Sequence, residues 1–129
     1  MTVEFNSGRT GRGGAYVSDR SGSHHAKFMR LTARALAPLG VLAAWFIVGA
    51  SGQTYEGVRA QIGRPFPALA LIAFIVIAMP HARAGAEDII ADYVHDPAAK
   101  DKALLVNKWL SFAITAIWVF AVMLIAAPK

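Results

Sequence analysis

Three apolar stretches, at roughly 32–50, 66–90 and 106–127, constrain what this chain can fold into more than any other feature. Each is long enough, at ~1.5 Å per helical residue, to cross a hydrocarbon layer ~30 Å thick. Such a layer holds no water to satisfy unpaired backbone N–H and C=O groups, so each stretch has to be a helix. Composition agrees: of 129 residues 56% are hydrophobic, with 16% charged, whereas a soluble domain of this size needs more polar surface to cover its core. The expectation is an all-α membrane protein, with three transmembrane helices in residues 23–129 and a flexible, basic N-terminal tail in residues 1–22.

The tail is rich in Gly, Ser and Arg and has no continuous apolar run. It lacks the apolar core of a secretory signal peptide, and it buries too little apolar surface to offset the entropy of ordering. A net charge of +5 would suggest nucleic acid in a soluble protein, but here the basic residues flank the spans and are explained by topology. Arg9, Arg12, Arg20, Lys27, Arg30 and Arg34 lie on one side, together with Arg83, Lys100, Lys102 and Lys108 from the second loop and its helix ends. Only Arg59, Arg64 and Lys129 lie on the other. The positive-inside rule then puts the N-terminus and the second loop in the cytoplasm. With no convincing amphipathic Arg/Ser transit segment, the bacterial inner membrane is expected rather than the mitochondrial one.

The chain has no cysteine. Cys-held iron–sulfur clusters, a covalently attached haem and thiol redox chemistry are therefore excluded within it. A Gly-rich nucleotide loop, an HExxH pair and a nucleophile elbow are equally missing from the sequence, so dinucleotide, zinc-hydrolase and acyl-transfer chemistry have no place to sit. The pattern is that of a component of an enzyme.

The polar residues inside and beside the spans carry the functional information. His81 lies within the middle apolar segment, and Asp92 follows eleven residues later. That spacing is almost three helical turns, which puts both on one face about 16 Å apart, with Tyr93 on the adjoining face. A membrane imidazole is read either as a metal or haem ligand or as a hydrogen-bonding link between helices. Gly85, one turn on, would leave room for a flat macrocycle. Pro80 leaves the Val76 carbonyl without its helical donor and predicts a local bend, as Pro38 does in the first span. Arg83 is either an interfacial anchor or a salt-bridge partner for a cofactor propionate. Lys27 reads as a snorkelling anchor, while Arg30 suits a propionate or a quinone oxygen if a cofactor is present. His95 reads as a loop histidine, since Asp96-Pro97 ends the helix. Trp109 suits the interfacial belt, Trp118 packs on lipid or a neighbouring helix, and Ser111 and Thr115 read as helix packing.

The pattern HAxxGxxxxxxDYV, matched at His81, Ala82, Gly85, Asp92, Tyr93 and Val94, resembles the hydrophobic membrane anchor of succinate dehydrogenase, the smaller or D-type anchor. The continuation to His95 resembles the alphaproteobacterial and mitochondrial branch. A second match lies at the first helix, in His24 or His25, then Arg30, Thr32 and Ala33. The resemblance covers residues 23–129.

It implies that His81 is one axial ligand of haem b, the other coming from a cytochrome b-type C subunit. It further implies that Tyr93 donates to a carbonyl oxygen of ubiquinone, that Asp92 orients this site or helps deliver protons, and that Arg30 with His24 or His25 lies near the haem propionates and the quinone pocket. The role of Arg83 stays open. An iron–sulfur subunit and a flavoprotein subunit would be the further partners, with succinate oxidised there and not in this chain. Two alternatives stand beside this: a fumarate reductase anchor working in the opposite direction, and a haem-free structural subunit of another respiratory complex.

Overall fold

The computed structural model describes residues 21–128, so the tail expected at the N-terminus falls almost wholly outside the described residues. The chain forms α1 (Ser21–Ala50), α2 (Tyr55–Ile62), α3 (Pro65–Tyr93) and α4 (Pro97–Ala126), with no strand among the described residues. Helices α1, α3 and α4 are long and apolar enough to cross a membrane, as the sequence requires.

The helices are longer than the apolar stretches that announce them. At 30 residues, α1 extends about 45 Å, half as long again as the ~30 Å hydrocarbon core. Its opening, SGSHHAKFMR, is polar helix ahead of the apolar run. Likewise α4 begins at Pro97 instead of near residue 106, because Asp96 caps it: its carboxylate accepts from the Ala99 N–H at 2.7 Å. Pro97 then occupies a first-turn position where its fixed φ favours the helix and no donor is lost. Helix α3 starts on Pro65 in the same way and ends before Asp96-Pro97, as expected. The helical course of α1 and α3 continues through Pro38 and Pro80 respectively.

The short α2 was not anticipated. Gly52, at φ 78°, makes the turn after α1 in a conformation that side chains disfavour. Thr54 then caps α2 by accepting from the Gly57 N–H at 3.3 Å.

Helix α3 is central. It packs against both α1 and α4, whereas no Cα of α1 comes within 8 Å of one of α4. The packed core sits at the α2 end, where Ala43, Ile62, Ala68, Leu71 and Val122 meet and Phe46, Phe74, Trp118 and Ile125 close around them. Trp118 therefore packs on neighbouring helices, with its indole N–H buried and unpartnered within the described residues. Arg59 of α2 donates to the Ala127 carbonyl just past the end of α4. Gly63 allows this closure: a Cβ there would stand 2.5 Å from the Arg59 carbonyl oxygen and 3.0 Å from that of Ile125.

Since lipid tails are as apolar as leucine, close packing and interhelical hydrogen bonds hold such helices together. At the opposite end the joints are polar. Asn107 of α4 donates to the Arg83 carbonyl at 3.0 Å, and Lys100 donates to the Ala91 carbonyl near the C-terminus of α3 at 3.0 Å. Large apolar side chains face outward along the spans, Trp45 being 75% exposed and Ile117 69%. In a membrane protein that surface belongs against lipid or other subunits.

Candidate functional site

Residues 81, 85, 88 and 92 recur at spacings of four, three and four, so they share one face of α3. Most of that face meets α1 in an antiparallel seam: His81 meets Thr32, Gly85 meets Met29, and Asp88 meets His25.

His81 is half-buried, with Nδ1 2.7 Å from the Thr32 hydroxyl. The same hydroxyl reaches back along its own helix, 2.8 Å from the Phe28 carbonyl oxygen and 3.2 Å from that of Met29. A threonine hydroxyl has one proton to give. With that proton on the Phe28 carbonyl, the imidazole carries its hydrogen on Nδ1 and donates it to Thr32. Nε2 is then left as a lone pair, and it has no hydrogen-bond partner among the described residues. Beside it, a Cβ on Gly85 would touch only the Met29 methyl, at 3.8 Å, so the glycine leaves space bordered by a flexible side chain.

One level further toward the chain end, His25 Nε2 lies 2.9 Å from Asp88 Oδ2 in a partly exposed pair. Of the two candidate histidines at the start of α1, His25 is therefore held against α3, whereas His24 is exposed. Arg30 is also exposed. Arg83 Nε donates to Glu87 Oε1 at 2.8 Å, a pair one turn apart on α3. Both residues line two cavities walled by α3 and α4, with Phe28 of α1 closing the first and His25 of α1 the second. One, of about 420 Å³, has walls of Val76, Met79 and Phe112; the other, of about 600 Å³, brings in His25, Asp88, Asp101 and Lys108. Ser111 and Thr115 border the first cavity, and their hydroxyls donate to carbonyls of their own helix, at 2.7 and 2.8 Å.

Tyr93 is the last residue of α3 and is 78% exposed; Asp92 beside it is exposed too. Tyr93 lies about 18 Å along the helix from His81. His95, in the loop to α4, donates from Nδ1 to the Tyr93 carbonyl at 3.1 Å. The fold thus joins His81 to Thr32 and His25 to Asp88, while His24 and Arg30 are exposed on α1 and Asp92 and Tyr93 are exposed at the end of α3. Asp88 and Glu87 had no assigned role in the sequence. Their spacing from His81 carries the signal for a shared helix, but the α1–α3 register that gives Asp88 its partner has no mark in one chain.

Comparison with known proteins bears on most of the chain. The family of succinate dehydrogenase/fumarate reductase transmembrane subunits matches residues 15–122. Over 104 residues the chain is 32% identical to the succinate dehydrogenase hydrophobic membrane anchor subunit of Paracoccus denitrificans, covering 81% of this chain and 80% of that relative. No solved structure matches. With three membrane-spanning helices and these likenesses, the chain belongs to the succinate dehydrogenase/fumarate reductase transmembrane subunit family, as a multi-pass succinate dehydrogenase membrane anchor subunit.

Proposed function

We propose that this anchor holds haem b through His81, together with a histidine of a second membrane subunit, and forms part of a ubiquinone site at the Asp92-Tyr93 end of α3. The observation that carries the reading is an imidazole inside a membrane span with one nitrogen engaged and the other free. That is the donor set an axial haem ligand needs. By the likeness to the anchor family, the second iron ligand would come from a partner subunit. The haem, when bound between two histidines, supplies a one-electron couple with no coordination site open to oxygen.

The other residues act by position. Tyr93, exposed at the end of α3, donates its hydroxyl to a quinone carbonyl oxygen, and Asp92 orients that site or hands on a proton. His25, Arg30 and Arg83 form the polar rim toward the propionates and the quinone. The N-terminus and the α3–α4 loop face the cytoplasm of a bacterial cell, so the iron–sulfur and flavoprotein subunits dock at that end and succinate is oxidised there. Electrons then pass to the quinone at the membrane surface.

A second reading has one observation in its favour: the His81–Thr32 bond joins α1 to α3, which a purely structural histidine would also do. The absorption spectrum of the purified complex separates the two. Bands of a b-type haem, at one haem per anchor, are expected; a complex that reduces quinone without them would support the structural role.

A further inference from the structure

We propose that Thr32 is the positioning residue for His81: it fixes the tautomer and the plane of the imidazole so that Nε2 is presented for iron, and it raises the electron density of the ring. The proposal rests on the reading of His81 as a ligand.

A free hydroxyl rotor could either donate to Nδ1 or accept from it. At Thr32 the choice is made by α1 itself, because the hydroxyl lies 2.8 Å from the Phe28 carbonyl oxygen and gives its proton there. This back-bond to the preceding turn is a local habit of threonine in helices. The hydroxyl is left as an acceptor 2.7 Å from Nδ1, and the ring must protonate on Nδ1 to satisfy it. The consequence is a three-membered chain in which His81 donates to Thr32 and Thr32 donates to the Phe28 carbonyl. Each bond polarises the next, so the ring carries more electron density than a ring with a free Nδ1–H.

The bond also fixes orientation. The second side-chain torsion of a histidine has broad, roughly two-fold wells, and here one hydrogen bond to a neighbouring helix selects within them. No carboxylate does this work: Asp88, on the same face, is engaged with His25. A neutral hydroxyl makes the ring a moderately stronger donor without turning it into an imidazolate. An electron-richer ring favours the oxidised iron, so Thr32 holds the reduction potential down.

The test compares Thr32→Val, which keeps the shape and removes the hydroxyl, with Thr32→Ser, which keeps the hydroxyl and removes the methyl. Both are made in the whole complex, and the readouts are haem content, midpoint potential and the electron-spin resonance of the oxidised haem. Thr32→Val should retain haem while shifting the reduction equilibrium toward the reduced state, read as a higher midpoint potential, a tenfold shift being a rise of about 59 mV for a one-electron couple. Its resonance should move as the ring loses its fixed plane, and Thr32→Ser should restore both values. Unchanged potential and resonance in Thr32→Val would overturn the proposal, as would a Thr32→Ser complex displaced as far as the valine one. If Thr32→Val fails to assemble, nuclear magnetic resonance of isotope-labelled histidine in the reduced wild-type complex decides: a His81 ring without a hydrogen-bonded Nδ1–H overturns it. Retention of an unaltered haem by His81→Ala would instead refute the ligand reading beneath it.

Discussion

Replacing Gly63 by alanine sets one methyl group against backbone from two directions. The new carbon would lie 2.5 Å from the Arg59 carbonyl oxygen and 3.0 Å from that of Ile125, against about 3.4 Å for an ordinary contact. Neither neighbour can swing aside as a side chain would. The Arg59 carbonyl accepts the Gly63 N–H at 2.9 Å, and Ile125 is near the C-terminus of α4. Backbone dihedrals contribute nothing, since Gly63 sits at φ −68°, so the whole cost is steric. Relief needs a shift approaching 1 Å at the joint between α2 and α4, and overpacking of this kind costs about 1–3 kcal/mol. That corresponds to roughly 5- to 150-fold in the equilibrium between the closed and opened α2 end of the bundle. Thermal unfolding of the purified complex in detergent measures it, with Gly40→Ala as the control. At position 40 the added carbon would meet only Phe74 Cε2, at 3.8 Å, and the gain in helix propensity, up to about 1 kcal/mol, should leave stability equal or higher. If Gly63→Ala unfolds at the same temperature as the wild type, the close approach of α2 to α4 does not hold the bundle together.

Other outcomes follow from the seam and the rim. Tyr93→Phe should lower succinate:quinone activity while leaving haem content, and succinate oxidation with an artificial acceptor, near normal; equal loss of both activities would indicate failed assembly. Asp88→Asn changes a partly exposed hydrogen-bonded pair, with His25 and Asp88 side chains 41% and 59% accessible, so its effect on stability should stay below about 1 kcal/mol. A larger loss in a denaturation series would show that the His25–Asp88 joint is a principal tie between α1 and α3. On the proposed pairing of His81 with a partner's histidine, expression of this chain without partners should yield little haem, and a monomer isolated with stoichiometric six-coordinate haem would contradict that.

The sequence speaks plainly about what lies in oil and quietly about what lies in water. Apolar runs locate α1, α3 and α4 because lipid admits little else, but they mark the immersed part of each helix and miss its wet ends. That is why α1 begins at Ser21 and α4 at Pro97, well ahead of the apolar stretches. The start of α4 is written in Asp96-Pro97, a cap followed by a first-turn proline, although in sequence the pair marks only the end of the preceding helix. Helix α2 carried a comparable signal in Thr54 and Glu56, too short to stand out beside spans. The site divides in the same way. His81, Gly85, Asp88 and Asp92 share a face by arithmetic on one helix, whereas the pairings with Thr32, Met29 and His25 depend on how α1 lies against α3. Arg83 was open between anchor and cofactor partner. Its guanidinium is engaged by Glu87, one turn on, a pairing that spacing alone allowed but did not single out.

Whether His81 holds a haem iron is decided by the absorption spectrum of a His81→Ala complex. The variant should assemble, because losing His81 leaves the Thr32 hydroxyl bonded to its own helix and the packed core around Leu71 untouched. Its b-type haem bands should be lost or changed to those of a haem with an altered axial ligand. A His81→Ala complex with an unaltered bis-histidine spectrum would contradict the account.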